Sequence, residues 1–164
     1  MTLGLFALGG LELLGVLDDT ISETDRKDWI EWIYSQQRIP SSAKDSTLPS
    51  EFEGAIYGFG GPFSGLPFQS SSESSQQQNV GCECGSHVTV YDSAHLTMTY
   101  TALLMLILLG DDLSRVAKEP ILQSLRKLQL PSGCFIPCVT DGQSDMRFMY
   151  CAAAISHILN DWSG

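Results

Sequence analysis

Several small groups of residues in this sequence could do chemistry. His95, Thr97, Thr99, Tyr100 and Thr101 crowd the opening of an otherwise apolar run. A histidine at such a mouth can act as acid, base or ligand, or simply wall a pocket. Arg147 and Tyr150 stand one helical turn apart in a second apolar segment. That pattern buries Arg147, and a buried charge needs a partner; Asp145 and Glu119 are the acids able to form a structural pair. Cys82-x-Cys84 with His87 offers zinc-type donors but falls short of four ligands, and reads as loop. Cys134 and Cys138 flank Phe135-Ile136-Pro137 and are likewise too few to hold a metal. Asp111-Asp112 suggests a magnesium–diphosphate site, but such sites need several converging carboxylates. Here D-D-L-S-R follows Gly110 at a helix end, where aspartates cap and turn in solvent.

The elements that must position these groups are helices. Residues 91–113 open with small and polar residues, as a capped helix does. They continue as an apolar run over 102–109 and stop at Gly110. A helix apolar on nearly all sides is buried on all sides. Residues 146–159 form a second helix of this kind, with Tyr150, Ala153, His157 and Ile158 on one side and His157 expected in the core. Residues 1–17, apolar almost throughout, resemble the second half of a third, with a polar stop at Asp18-Asp19-Thr20. Two other segments are amphipathic. Residues 28–37 place Trp29, Trp32 and Ile33 at i, i+3, i+4, where the tryptophans pack as a cover. Residues 118–130 set Leu122, Leu125 and Leu128 against Gln123, Arg126 and Lys127, with Pro120 in the first turn.

Composition limits the possible partners. The chain has 164 residues, 43% hydrophobic, enough for one domain with a core. Its net charge of −10 argues against nucleic acid, because phosphate binding needs a basic surface. The longest apolar run is far short of the roughly 20 residues that span a bilayer. The five cysteines form an odd set in a chain with a large core, and read as reduced thiols of a cytosolic or nuclear protein; the localisation expected is cytoplasmic. Residues 70–90 read as an inserted loop, beginning with the low-complexity run S-S-S-E-S-S-Q-Q-Q.

An internal repeat orders the helices. Tyr100-Thr101-Ala102 and Tyr150-Cys151-Ala152 lie 50 residues apart, and Asp111 then falls on Asp161. Phe6-Ala7-Leu8 is placed in the same frame, and Gln36 before the first glycine turn matches Gln129 before the second. A period near 50, with one buried and one covering helix per unit, is a repeat architecture. It predicts an all-α fold: part of an α/α toroid with inner and outer helix rings, over a single domain 1–164.

The residues that carry a family resemblance are 28–37 (D-W-I-E-W-I-Y-S-Q-Q), 58–68 (G-F-G-G-P-F-S-G-L-P-F), 91–115 and 145–164. Within them stand Y-D-S-A-H-L-T-M-T-Y-T and L-G-D-D-L-S-R. The chain resembles the β subunits of protein prenyltransferases, closest to type I protein geranylgeranyltransferase. The resemblance implies an αβ heterodimer that moves a geranylgeranyl group from its diphosphate to the cysteine of a C-terminal CaaX motif, as on small GTPases. It implies a zinc ion that activates the thiolate. It places Thr2, Phe6, Arg147 and Tyr150 beside the lipid. It places Thr2, His95, Thr97, Arg147 and Phe148 around the CaaX peptide, with Arg147 reaching the terminal carboxylate through water. Alanine stands in close relatives where this chain has Thr97.

The family's zinc ligands are an Asp-x-Cys pair and a later histidine, and this sequence contains no Asp-x-Cys. The expectation is therefore roughly the first half of a β subunit, starting inside the first inner helix. It would supply lipid and peptide walls, with no catalytic or metal residue among its own. The alternatives are a non-catalytic module that binds the α subunit and, ranked last, a triterpene-cyclase-like toroid. The cyclases show repeated Gln-Trp motifs, and this chain has no Gln-Trp dipeptide.

Overall fold

A computed structural model describes residues 1–39, 57–60, 94–138 and 143–164. The insertion at 70–90, the Cys82–Cys84–His87 group and the start of the helix expected from residue 91 lie outside the described residues.

The described chain is helical. The elements are α1 (Thr2–Leu13), a single turn α2 (Leu17–Thr20), α3 (Glu23–Ser35), α4 (Leu96–Leu108), α5 (Lys118–Leu128) and α6 (Met146–Ile158). Two short strands, β1 (Gln37–Arg38) and β2 (Gly58–Phe59), pair antiparallel with Gln37 opposite Phe59. The expected polar stop after α1 is thus itself a helical turn. The covering helix α3 begins five residues before its expected start, because Ser22 caps it by accepting from the Asp25 N–H at 3.1 Å.

α4 is the central element, packed between α1 and α6. Leu103 and Leu106 are fully buried, together with Thr99 and Thr101. The two threonines satisfy their hydroxyls locally, Thr101 on the Thr97 carbonyl at 2.7 Å and Thr99 on the His95 carbonyl at 3.2 Å. Thr99 also accepts from the Phe59 N–H at 3.0 Å, so β2 is pinned to α4. Gly58 is required there: its φ is +141°, and a Cβ would run into the Thr99 hydroxyl.

The covering helices differ from one another. α5 buries Leu122, Leu125 and Leu128 and exposes Gln123, Arg126 and Lys127, as its period predicts. α3 buries Ile33 completely, with Ile30 and Tyr34 beside it, while Trp29 and Trp32 are each 41% exposed. The expected tryptophan cover is therefore displaced. The inward stripe is Ile30–Ile33–Tyr34, and the indoles lie on its flank.

α6 is less buried than its composition suggests. Tyr150 is 64% exposed, and Ala153 and His157 are also exposed, so His157 is not a core histidine. Its Cys151, Ala152, Ile155 and Ser156 face the core, while Ala153 and His157 on the other side are exposed. An apolar sequence shows that a helix can be buried all round; its neighbours decide which sides are.

The inner helices end alike. Gly15, Gly110 and Asn160 take positive φ (67°, 78° and 50°). Their N–H groups donate to the carbonyls of Glu12, Ile107 and His157. The next N–H groups, on Val16, Asp111 and Asp161, reach back to Leu11, Leu106 and Ser156. This doubled closure is the Schellman motif, which needs a residue tolerant of the left-handed region. Asp111 and Asp161 then accept from Leu113 and Ser163 N–H groups at 2.8 and 2.9 Å, so that match of the repeat holds. Gln36 and Gln129 are both C-caps, of α3 and α5. The first copy, however, sits one residue off the expected frame. The shared turns align Leu5, not Phe6, with Tyr100 and Tyr150, because cap geometry rather than aromatic identity sets the register.

Candidate functional site

The common register defines rungs across the three inner helices. Thr2, Thr97 and Arg147 occupy one rung, near the helix N-termini. Leu5, Tyr100 and Tyr150 occupy the next, then Gly9, Leu104 and Ala154, then Glu12, Ile107 and His157. The steps of three, four and three residues keep each set on one face of its helix. None of these twelve positions is buried, although α4 is otherwise mostly core. The three helices therefore turn one accessible stripe to the same side. It is polar at the N-terminal end, apolar at the Gly9–Leu104–Ala154 rung, and carries Glu12 and His157 at the far end.

Two observations tie the stripes together. The Tyr100 hydroxyl donates to that of Tyr150 at 3.3 Å, with the rings edge-to-face at 5.5 Å. Burial and this bond push Tyr100 up to about 12. Between α1 and α4 runs an open apolar groove of about 520 Å³. Leu5, Phe6 and Gly9 line one wall and Leu104, Ile107 and Leu108 the other; Glu12 is its one charged lining residue. Phe6 is 69% exposed there.

The mouth is set by two helix caps in equivalent positions. His95 caps α4, its Nδ1 accepting from the Thr97 N–H at 3.2 Å. That nitrogen must keep its lone pair, which leaves Nε2 to carry the proton of the neutral ring. Asp145 caps α6 by accepting from the Arg147 N–H at 2.8 Å. The His95 ring meets Phe148 edge-on at 6.4 Å, so those two expected neighbours are brought together. Burial pushes the Cys151 thiol up, and the neighbouring Thr97 side chain offsets part of the rise.

Arg147 departs most from expectation. Its side chain is 82% exposed. Nε and Nη2 hold both carboxylate oxygens of Asp145, at 3.0 and 3.1 Å. The guanidinium holds the Asp145 carboxyl below the usual carboxylate range. Of the two pairs open to it in the sequence, the one with Asp145 forms. The apolar context suggested burial, but Arg147 lies on the accessible stripe, in the first turn of α6.

Leu104, Ile107 and Leu108 escaped the sequence reading as candidate site residues. Counting seven and ten residues on from Thr97 would have found the first two. The other candidates carry less. Cys134 is a half-buried free thiol, and Cys138 is buried. Asp111 and Asp112 form the turn described above, Asp112 accepting from Ser114 N–H at 2.9 Å. Among the described residues, no three His, Cys, Asp or Glu side chains are placed to hold a metal. No described helix is long and apolar enough to cross a membrane.

Inner helices that end in register, backed by covering helices and turning one accessible stripe to the same side, define part of a helical toroid. Comparison with known proteins agrees. Residues 1–164 match the model of the prenyltransferase alpha-alpha toroid domain, and the chain belongs to that family. It is 33% identical over 164 residues to the geranylgeranyl transferase type-1 subunit beta of Arabidopsis thaliana, covering 100% of this chain and 38% of that protein. It is 38% identical over 165 residues to the subunit of the same name from Dictyostelium discoideum, covering 99% of this chain and 43% of that protein. The chain thus spans about two fifths of the length of these relatives.

Proposed function

We propose that this chain forms lipid and peptide walls of a type I protein geranylgeranyltransferase β subunit, as one partial toroid domain over 1–164. The enzyme would pair with a prenyltransferase α subunit in the cytoplasm. It would transfer geranylgeranyl from its diphosphate to the cysteine of CaaX proteins such as small GTPases. The observation that carries this is the groove of about 520 Å³ between α1 and α4, whose walls run from Leu5 to Leu13 and from Leu104 to Leu108. Its walls suit an isoprenoid, whose binding draws on buried apolar area. Thr2, Phe6, Arg147 and Tyr150 lie along the lipid. Thr2, His95, Thr97, Arg147 and Phe148 face the end of the peptide. Tyr150 and Tyr100 present ring edges near the mouth, and Arg147 supplies donors matched to a carboxylate.

The described residues do not make a metal site. The zinc implied by the family resemblance therefore has no residue assigned to it, and no step runs through it. What these residues can do is bind, orient and exclude water.

The test is purification of the polypeptide carrying this sequence with a prenyltransferase α subunit, followed by binding of a fluorescent geranylgeranyl diphosphate analogue and transfer to a CaaX peptide. Saturable lipid binding that weakens in Phe6→Ala and Tyr150→Ala is the expected result. An α complex that binds no isoprenoid diphosphate would overturn the proposal, leaving at most an α-binding module.

A further inference from the structure

We infer that Asp145 is a positioning residue for peptide recognition, fixing the direction in which Arg147 offers its donors. The inference rests on the proposed role of Arg147 at the peptide carboxylate. Arg147 is 82% exposed on a flexible stem, and left alone it would sample many rotamers. Asp145 restricts that freedom at two points on the guanidinium and is itself anchored by a third bond, to the backbone. Oδ1 accepts from the Arg147 backbone N–H at 2.8 Å and from its Nε at 3.0 Å, while Oδ2 accepts from Nη2 at 3.1 Å. One carboxylate thus caps α6 and clamps the guanidinium edge two residues on. The clamped edge uses Nε and one side of Nη2. Nη1, with its two hydrogens, and the second hydrogen of Nη2 remain for a ligand.

The neighbouring inner helix makes the same cap without a clamp. His95, in the equivalent position, also accepts from the N–H two residues on, but the residue there is Thr97, which carries no charge. Capping alone therefore does not require a carboxylate. What Asp145 adds over His95 is a second function, met only where an arginine stands on the rung. Asn or Ser would cap nearly as well. Neither can make the two-oxygen charged fork, which gives Arg–carboxylate pairs their geometric specificity.

Separating the cap from the clamp gives the test. In the complex with the α subunit and with lipid bound, affinity is measured for a CaaX peptide as the free acid and as its C-terminal amide. Asp145→Ser keeps a capping hydroxyl and removes the fork. It should lower the acid-to-amide affinity ratio about tenfold, the size expected for loss of a well-placed charge-assisted bond. The melting temperature should stay close to that of the parent. Arg147→Ala should collapse the ratio further. Asp145→Ala, losing cap and clamp, should lower both the ratio and the melting temperature. An unchanged or increased ratio in Asp145→Ser, with Arg147→Ala still lowering it, overturns the positioning role alone. A ratio unchanged in Arg147→Ala removes Arg147 from the carboxylate, and Asp145's role falls with it.

Discussion

The Tyr34 hydroxyl donates to Asp111 at 2.5 Å, linking the covering helix of one repeat to the closing turn of the next inner helix. Arg115 sits over the Tyr34 ring at 3.9 Å and reaches Glu31 at 2.8 Å, so α3 is held by several contacts at one place. Gln37 adds a bond from its amide to the Arg115 carbonyl at 3.1 Å and accepts from the Ala117 N–H at 2.7 Å. A hydrogen bond of this kind contributes about 1 kcal/mol net. Tyr34→Phe should therefore lower unfolding free energy by about that amount, read by urea denaturation. An unchanged midpoint would show that the Tyr34–Asp111 bond adds nothing to stability.

The same tyrosine predicts an alkaline effect. Burial, then the bond to Asp111, raises its pKa above the ordinary 10.0. The folded state thus holds the proton more tightly than the unfolded chain. Its contribution is complete below pH 10 and is lost as pH climbs beyond it. Melting temperature followed from neutral to alkaline pH should fall more steeply in the parent than in Tyr34→Phe.

Gly9 gives a direct test of the groove. A Cβ there meets nothing within 4 Å, and the residue lies about 10 Å along α1 from Thr2, at 1.5 Å per residue. Gly9→Leu should stabilise the helix by up to about 0.8 kcal/mol, because glycine is a poor helix former. It should at the same time weaken geranylgeranyl diphosphate binding about tenfold by filling the groove. Higher thermal stability with undiminished lipid affinity would place the lipid elsewhere.

The β2–α4 contact predicts a strong glycine requirement. Gly58→Ala puts a methyl against the Thr99 hydroxyl and forces a residue with a Cβ to φ +141°. The loss should be about 2 kcal/mol or more, as for other overpacked sites. Ser at position 99 keeps the hydroxyl that the methyl meets and does not relieve the backbone strain, so Gly58→Ala/Thr99→Ser should recover little of the loss in the same denaturation assay.

Thiol chemistry should follow burial. Cys151 is buried and its thiol is pushed up, whereas Cys134 is half-buried. Alkylation near neutral pH consumes thiolate, so Cys134 should label about tenfold faster than Cys151. Mass-spectrometric peptide mapping reads the order directly.

Periodicity made much of this fold legible in the sequence. The Leu122–Leu125–Leu128 stripe of α5 needed only the helical period, and the Asp111–Asp161 match needed only the spacing. The frame that sets Tyr100 on Tyr150 also sets Thr97 on Arg147, but the place of Thr2 beside them was hidden, because the first copy was aligned by its aromatic residue. The left-handed turns at Gly15, Gly110 and Asn160 reveal it. The open stripe was equally hidden. An apolar helix reads the same whether its flank meets another helix or a groove, so Arg147 and His157 were expected inside. Asp145 was visible as a partner for Arg147. Its double use was not, because one carboxylate capping a backbone and clamping a side chain is a matter of ångströms.

The spacing of the rungs is unequal: 95 residues separate Gly15 from Gly110, and 50 separate Gly110 from Asn160. The described residues on either side of the longer interval are joined directly, for the His95 N–H donates to the Phe59 carbonyl at 3.1 Å. The start of α4 is thus fastened to the strand that pairs with β1, and the rungs keep their register although the repeats differ in length. For protein engineering, Phe59 and His95 form a hinge pin that any change of repeat length must preserve.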